Sequence, residues 1–389
     1  MEKSTHKCEV VVVHPQLHPN ADRLEVVEVY GYSVCVGKGE FKDGDLGVYI
    51  PPDSVVPQRD EFKFIWEGKG YVADPNSAQF GLVPEKYRRI KAKTLRGVIS
   101  EGLLMPVSLF AIGPYVSEGQ DLAKELCITH YDPPEQLSGG DCESAPIKKK
   151  RKPKTLKGWL KHYFYHFLAI THIRRIQVSE QETTGFTVPS YDVDAWQRYK
   201  HLFKEGEEIW ITEKIHGSNI RFVWMETDPL SGGRMYVGSH YQWKKQDYST
   251  TWWKALQDNP HIEEFCRACP GAVVYGEIVP TQKFKYGMTK DKFKVFIFDV
   301  LDTNIDSWQN FGDILNLFGR ENCVPVITKD VYHEKDIRKC SDGPSTVSGA
   351  GHIREGIVIR PVEERSDPRF GRVILKIVSV AYLGSKSSE

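Results

Sequence analysis

The chain has 389 residues, 40% of them hydrophobic, and its 52 Lys and Arg residues balance 52 Asp and Glu residues. This length favours two domains with ordinary hydrophobic cores. The zero net charge excludes a protein whose whole surface attracts nucleic acid, so any such surface must be a local patch. The polar N-terminal residues and the absence of a long apolar run favour an intracellular protein with no signal peptide and no membrane contact. The eight cysteines match neither a disulfide framework nor a zinc site.

Short β-rich runs separated by Gly, Pro, Asn and Asp fill roughly residues 8–128. CEVVVVHP, LEVVEVYGYSVCVG and GVISEGLLMP are the clearest of them. Several short strands with turn residues between them predict a small barrel. Such a barrel either binds a nucleic-acid strand through a basic, aromatic-bearing face or only braces the rest of the chain. The sequence leaves both roles open.

The composition changes after Tyr131. PPEQLSGGDCESAP has few large apolar residues and predicts a flexible linker. Residues 148–154 follow with a basic run that is either a nuclear import signal, a phosphate-binding segment or a solvated loop. Residues 155–170 are rich in aromatic residues at helical spacing, which predicts a helix packed on the barrel or between domains.

The most informative stretch is EKIHGSN, residues 213–219. Hydrophobic segments flank it, which predicts a strand, a tight turn at Lys214 and a second strand. Gly217 is expected to let the backbone approach a ligand closely. Four further segments follow in a fixed order: VVYGEIVP with Glu277, FKVFIFDVL with Phe298, REGIVIR with Glu355 and Arg360, and VILKIVS with Lys376.

This ordered series resembles the covalent nucleotidyltransferase superfamily of DNA ligases, RNA ligases and capping enzymes. The Lys-Ile-His-Gly form with Ser-Asn after it resembles ATP-dependent RNA ligases of the RNA ligase 2 type, from about Tyr191 to the end. HPNADRLEVVEV and LRGVISEGLLMP are similar to segments of OB-fold modules. Only about a dozen residues follow Lys376, so the candidate OB domain precedes the lysine, as in one subgroup of RNA ligases.

The resemblance implies an α+β fold, with an N-terminal OB-like β-barrel and a C-terminal nucleotidyltransferase domain of ATP-grasp-like antiparallel sheets with helices. The expected domains are 1–130 for the OB fold, 131–188 for the linker with its basic run and aromatic helix, and 189–389 for the adenylyltransferase. The chain is expected to act as a monomer in the cytoplasm or the nucleus.

The resemblance also assigns roles to residues of the ordered segments. Lys214 is the expected nucleophile, and ATP is the expected nucleotide. Residues expected to bind the nucleotide are Glu213, Ile215, Asn219, Glu277, Phe298 and Lys376. Arg360 and Lys376 are expected to contact its phosphates, and Glu277 and Glu355 to bind Mg²⁺ or Mn²⁺. Phe296 is the alternative to Phe298 as the aromatic that stacks on adenine.

Three positions depart from the family pattern. His240 stands where the second motif usually has arginine, and Lys244 or Lys245 are candidates to replace that contact. Arg360 stands where lysine is usual, which keeps the charge but changes its geometry. Val378 stands where a second basic residue is common.

The expected activity is the joining of RNA 3′-hydroxyl and 5′-phosphate ends, at a nicked duplex, at free ends or in an RNA/DNA hybrid, and the expected role is RNA repair. A free lysine has a pKa of about 10.4, so the site must lower the pKa of Lys214 by nearby cations or by desolvation. Three alternatives remain: a DNA ligase, a capping-type nucleotidyltransferase, or an RNA-binding protein that has lost catalysis.

Overall fold

The computed structural model describes residues 7–68, 83–112, 115–131, 181–226, 232–288 and 292–387. The basic run at 148–154 and the aromatic helix predicted within 155–170 lie outside these residues. The predicted domain bounds stay predictions. No helix in the described ranges is long and apolar enough to cross a membrane.

Short strands make up the N-terminal part of the chain. They are β1 (Glu9–Val13), β2 (Gln16–Leu17), β3 (Leu24–Val29), β4 (Tyr32–Gly37), β5 (Asp45–Ile50), β6 (Ser54–Val55), β7 (Lys93–Leu95), β8 (Val98–Ser100), β9 (Leu103–Pro106) and β10 (Thr129–His130). In the described residues they form four small sheets, β1-β5-β9, β2-β3-β4, β6-β10 and β7-β8. The prediction of a barrel is corrected here, because no ladder among these residues closes. Pro51 and Pro52 follow β5 directly and lack the N–H groups that would extend its ladder.

The C-terminal part contains two larger sheets. Its strands are β11 (Asp194–Ala195), β12 (Glu208–Glu213), β13 (Ser218–Glu226), β14 (Gly233–Ser239), β15 (Trp243–Lys244), β16 (Ala272–Val279), β17 (Lys294–Asp302), β18 (Ser307–Trp308), β19 (Val326–Val331), β20 (Gly356–Pro361), β21 (Ser366–Asp367), β22 (Gly371–Arg372) and β23 (Leu375–Val378). One sheet has the order β15-β14-β13-β16-β17-β18 and the other β11-β23-β20-β12-β19. Their pairs are antiparallel, as predicted, except that β11 and β23 are parallel.

Helices are short throughout the described residues. The α-helices are α1 (Lys63–Glu67), α2 (Glu85–Arg88), α3 (Trp196–Tyr199), α4 (Thr251–Asp258), α5 (Pro260–Ala268), α6 (Phe311–Phe318), α7 (Glu334–Ile337) and α8 (Val380–Ser387). The 3₁₀ helices are Asp60–Phe62, Val107–Leu109, Lys200–Leu202, Arg320–Asn322 and Arg338–Ser341. Pro260 occupies the first turn of α5, where its missing N–H costs nothing.

The chain crosses from one large sheet to the other at residues 214–217. β12 ends at Glu213 in the five-stranded sheet, and β13 begins at Ser218 in the six-stranded sheet. A Cβ atom on Gly217 would lie 2.2 Å from the carbonyl oxygen of Ile278 in β16. Gly217 therefore lets a neighbouring strand approach the turn, whereas the sequence had suggested a ligand in that place.

The N-terminal sheets contact the C-terminal domain directly. Arg198 Nη2 lies 2.8 Å from Glu9 Oε2, and both side chains are largely buried. Arg338 Nη1 donates a 2.7 Å hydrogen bond to the carbonyl oxygen of Gly31. The last helix, α8, packs against β7 and β8. These contacts hold the small sheets over one side of the crossing.

Candidate active site

Lys214 lies at the crossing between the two large sheets and is held there by backbone and side-chain contacts. Its N–H donates to the carbonyl oxygen of Gly356 at 3.0 Å, so the turn is tied to the start of β20. Its Nζ lies 3.0 Å from Glu355 Oε1, and 27% of its side chain is exposed. The amine is therefore both fixed in direction and accessible to a ligand.

Opposite charges dominate the protonation of this cluster. Burial lowers the pKa of Lys214, but the carboxylates of Glu355 and Glu277 outweigh burial and raise it above the ordinary value. Burial raises the pKa of Glu355, but Lys214 and His216 outweigh it and hold that pKa at about 2. Burial raises the pKa of Glu277 to about 7 against the opposing charge of Lys214. The protein without ligand keeps Lys214 protonated, so the predicted lowering of its pKa requires further positive charge.

A pocket of about 180 Å³ surrounds Lys214. Eight residues that the sequence assigned to nucleophile, nucleotide or phosphate line this one pocket: Glu213, Lys214, Ile215, Asn219, Glu277, Phe298, Arg360 and Lys376. They come from segments more than 160 positions apart in the chain. Glu355, the remaining predicted residue, lines the adjoining larger cleft.

The two candidate aromatic residues of β17 have different surroundings. Phe298 lines the pocket, and its ring centroid lies 4.6 Å from that of Tyr191. Phe296 is only 7% exposed, belongs to the core between the sheet and its helices, and contacts the ring edge of Tyr286. The geometry therefore favours Phe298 as the residue available for stacking.

Glu213 and Asn219 differ in how their polar atoms are used. The Glu213 carboxylate accepts hydrogen bonds from the Ser345 hydroxyl at 2.6 Å and from the N–H and hydroxyl of Thr346 at 2.6 and 2.7 Å. Its side chain therefore anchors the loop before β20. Asn219 Oδ1 is buried and has no hydrogen-bond partner among the described residues. An unpaired buried oxygen is costly, so a donor on a ligand would stabilise this position.

Arg360 is held by a buried ion pair behind the pocket. Its side chain is 2% exposed, and Nη1 donates to the carbonyl oxygen of Phe298 at 3.1 Å and to Asp299 Oδ2 at 3.2 Å. Lys376 is freer, with a 34% exposed side chain whose Nζ lies 4.0 Å from Asp192 Oδ1. Of the two predicted phosphate contacts, Lys376 is the one whose charge can turn toward a ligand.

Neither lysine proposed as a replacement for the usual arginine is among the described residues that line the two clefts. Lys244 is 5% exposed, and its Nζ donates to Gln242 Oε1 at 3.3 Å. His240 lines the larger cleft, where it contacts the ring of Tyr241 at a centroid distance of 4.0 Å. Val378 lines the same cleft.

Sequence reasoning missed the tyrosines that surround His216. Tyr382 on α8 places its hydroxyl 3.3 Å from His216 Nδ1, and that nitrogen lies 3.2 Å from Glu355 Oε2. The His216 N–H donates to the Tyr286 hydroxyl at 2.7 Å. Neither tyrosine lies in one of the sequence motifs. The only signal in the sequence is that each is an aromatic residue a few positions after a motif.

The larger cleft, about 590 Å³, lies between the N-terminal sheets and the Lys214 site. Tyr32, Asp53 and His130 line it from the N-terminal side. Glu355 and Lys376 line it from the C-terminal side. A polymer in this cleft would therefore have access to the cluster around Lys214.

The carboxylates of the site suit a metal ion that is held jointly by the protein and by the phosphates of a ligand. In the ranges that the structure describes, no cluster of three or more His, Cys, Asp or Glu residues could hold a metal ion by itself. Mg²⁺ is commonly held by one or two carboxylates together with substrate phosphates. Glu277 and Glu355 match a cation that arrives with a phosphorylated ligand.

Comparison with protein-family models identifies the region that contains the pocket. Residues 207–378 match the RNA ligase model. They form an RNA ligase domain. Residues 9–107 match an OB-fold domain model. The predicted order of an OB fold followed by an RNA ligase domain is thereby confirmed.

Solved structures extend the likeness of this RNA ligase domain to the whole chain. Naegleria gruberi RNA ligase with PPi is 20% identical, has a TM-score of 0.71, and the match covers 99% of each chain. A mutant of that ligase with ATP and Mn matches at TM-score 0.70 and 20% identity, over 97% of this chain and 98% of that one. Another mutant with AMP and Mn matches at TM-score 0.70 and 20% identity, over 98% of both. At this identity the likeness establishes the shared fold. A comparison with curated protein sequences found no match.

Proposed function

We propose that the protein is an ATP-dependent RNA ligase that joins 3′-hydroxyl and 5′-phosphate ends through AMP bound covalently to Lys214. The observation that carries the proposal is the convergence of eight residues from five segments on one pocket around an accessible lysine in an RNA ligase domain. The substrate is a nicked RNA duplex, a pair of RNA ends or an RNA/DNA hybrid. The chain acts as a monomer inside the cell.

In the first step, Lys214 Nζ attacks the α-phosphate of ATP. A bond forms between nitrogen and phosphorus, the bond to the β-phosphate oxygen breaks, and pyrophosphate leaves. The amine gives up its proton before or during the attack. Glu355 orients Nζ through the 3.0 Å contact, and Lys376 offers positive charge toward the phosphates.

Glu277 and Glu355 would hold a divalent cation together with the phosphates of ATP. Mg²⁺ or Mn²⁺ suits these oxygen ligands and would supply positive charge that offsets the two carboxylates. That charge would oppose the rise in the pKa of Lys214, in keeping with the need for a neutral amine.

The remaining steps use the same pocket and the larger cleft. The RNA 5′-phosphate attacks the phosphorus of lysyl-AMP. The bond between Lys214 and phosphorus breaks, and the RNA then carries a 5′-adenylated end. The 3′-hydroxyl then attacks the RNA 5′-phosphate, forms the new phosphodiester and expels AMP. Positioning supplies most of the rate, because both steps need in-line geometry.

Removing the ring of Phe298 is expected to weaken ATP binding without unfolding the protein. Stacking of an aromatic ring on a base contributes roughly 1–3 kcal/mol, so Phe298→Ala should raise the KM for ATP by roughly 5- to 150-fold. Phe296→Ala is the matched control, since its ring lies in the core and its loss should lower the free energy of unfolding by about 3–5 kcal/mol. Equal effects of both variants on KM, with no loss of stability in either, would contradict the assignment.

Discrimination between RNA and DNA is expected at the strand that bears the 3′-hydroxyl. The ribose next to the attacking oxygen must be positioned closely, and its 2′-hydroxyl can be read by hydrogen bonds. A nick with ribonucleotides only at the 3′-hydroxyl end should seal nearly as fast as an all-RNA nick. The measurement uses one pre-adenylated 5′ strand with ribose or deoxyribose acceptors. Equal rates would favour the DNA ligase alternative.

The experiment that tests the proposal is incubation with α-labelled ATP and Mg²⁺ or Mn²⁺, followed by denaturing electrophoresis and by a sealing assay on nicked RNA. Label on the protein together with sealed RNA supports an RNA ligase. Label without sealing of any RNA or DNA nick would indicate a capping-type enzyme. RNA binding without label would indicate a protein that has lost catalysis.

A further inference from the structure

The OB domain carries a concentration of positive charge that the site around Lys214 does not use. Residues 86–96 contain six Lys and Arg residues and no Asp or Glu, in a chain whose net charge is zero. Two of the six serve the fold: Arg88 donates to the carbonyl oxygens of Val83 and Val56, and Arg89 pairs with Asp53. The other four are exposed, so their charges are accessible to a ligand in solution.

Three of these cations are on or just before the hairpin of β7 and β8: Lys91 lies two residues before β7, Lys93 begins it, and Arg96 lies in the turn to β8. Lys91 and Lys93 are both exposed, and the less exposed Ala92 separates them. Arg96, at the tip of the hairpin, is exposed as well. In the part of the chain that the structure describes, none of the three forms an ion pair or a side-chain hydrogen bond. We call Lys91, Lys93 and Arg96 the basic hairpin.

The backbone at the tip is the second observation. Arg96 and Gly97 form a two-residue turn in which both have positive φ, 49° and 91°. Such turns strongly prefer Asn-Gly or Asp-Gly, because other residues pay a steric cost of about 1–2 kcal/mol in this conformation. The tip is nevertheless held firmly, since Asn20 donates to the Arg96 carbonyl oxygen at 3.2 Å and His18 Nε2 lies 3.1 Å from that of Leu95. A strained arginine at a braced tip is an indication of function.

The hairpin packs against an element that lines the larger cleft beside the active site. β7 and β8 pack against α8, and α8 carries Tyr382, which lines the larger cleft and contacts His216. Arg89, just before the basic hairpin, pairs with Asp53 on the wall of the same cleft. A nucleic-acid strand that leaves the cleft on this side would pass the exposed cations.

We propose that the basic hairpin binds the phosphate backbone of the RNA whose end lies at Lys214, an inference that rests on the proposed ligase function. Unpaired, exposed ammonium and guanidinium groups attract phosphates, and this contact carries no sequence information. The hairpin therefore positions RNA for sealing and takes no part in the reaction of Lys214 with ATP. It gives the OB domain a substrate-binding role in addition to its bracing contacts.

The test compares two variants of the full chain that lose the same charge. The first combines Lys91→Gln, Lys93→Gln and Arg96→Asn, since asparagine suits the positive φ at the tip. The control combines Lys329→Gln, Lys335→Gln and Lys339→Gln, three exposed cations that do not line either cleft. Affinity for a nicked RNA duplex is measured between 50 and 200 mM salt.

Each lost phosphate contact should reduce the slope of log affinity against log salt by about 0.9 on a duplex, so the first variant should lose about 2–3 from the slope. Its affinity at 0.1 M salt should fall at least about tenfold, equally for two unrelated RNA sequences. Sealing should show a raised KM for RNA with kcat nearly unchanged, and Arg96→Lys alone should bind nearly as the parent does. A slope equal to that of the parent, or an equal loss in the control, overturns the proposal.

Labelling by ATP in the absence of RNA separates this inference from the proposed function. The first variant should form lysyl-AMP at the parental rate, because the basic hairpin does not touch the pocket of Lys214. Loss of labelling in the variant alone would overturn the inference and assign the hairpin to bracing the active site. Failure of the parent chain to label would refute the proposed function, while the RNA affinities would still decide the role of the hairpin.

Discussion

Replacing Lys214 by alanine is expected to abolish the transfer of labelled AMP from ATP to the protein. The amine is the only group proposed to form the covalent bond, and its position beside Glu355 fixes the direction of attack. Lys214→Arg should fail equally, because guanidinium keeps the ion pair with Glu355 but stays protonated. Label on the parent chain should be lost in acid and kept in base, as a phosphoramidate requires. Denaturing electrophoresis with α-labelled ATP measures the result.

Two controls separate the nucleophile from the rest of the site. Lys245→Ala removes an exposed lysine outside the pocket and should label normally. RNA with a pre-adenylated 5′ end bypasses the first step, so the Lys214→Ala protein should still seal it at a measurable rate. Label on the Ala variant would mean that another residue is the nucleophile. Failure of the Lys214→Ala protein in both labelling and sealing would indicate a damaged site. The Lys214→Arg protein, which keeps the ion pair with Glu355, would then be the variant in which to test sealing of pre-adenylated RNA.

Replacing Asp299 by asparagine is expected to cause a large loss of stability. Asp299 is completely buried and accepts hydrogen bonds from Arg372 at 2.7 Å, from Arg360 at 3.2 Å and from the hydroxyl of Tyr191. Arg372 keeps a second partner in Glu364. Arg360 would lose its carboxylate partner while it remains 2% exposed. Removing one member of a buried ion pair costs about 3–5 kcal/mol of unfolding free energy.

Chemical denaturation and thermal melting measure this loss. In a domain of this size, it corresponds to a fall in Tm of roughly 6–20 °C. Asp306→Asn is the matched control, because Asp306 is exposed and has a positive φ that asparagine tolerates, so its effect should stay within about 0.5 kcal/mol. Asp299→Asn combined with Arg360→Met removes both buried charges and should recover much of the stability. A single Asp299→Asn variant as stable as the parent would contradict the argument.

The Asp299 cluster also connects stability with the pocket. Arg360 donates to the carbonyl oxygen of Phe298, and Tyr191 packs against the ring of Phe298. The same buried contacts therefore hold the aromatic residue proposed to stack on adenine. The sequence assigned Arg360 only by its place in a motif, and its ion pair with Asp299 depends on strands that are far apart in the chain.

The sequence by itself determined the order of domains and the residue types from which the candidate site is built. Strand periodicity and the ordered motifs are local patterns, and local patterns depend on residue type and spacing. The resemblance that the motifs carry assigned roles to eight residues that prove to line one pocket. The family assignment followed from the same motifs and was confirmed by the match over residues 207–378.

Only the tertiary structure decided which of these side chains are free and which are engaged. Packing leaves Phe298 at the pocket and buries Phe296 in the core. It places β16 against Gly217 and Tyr382 beside His216. It also divides the predicted barrel into small sheets and leaves the basic hairpin exposed. Such features depend on contacts between residues distant in sequence, and short-range periodicity carries no information about those contacts.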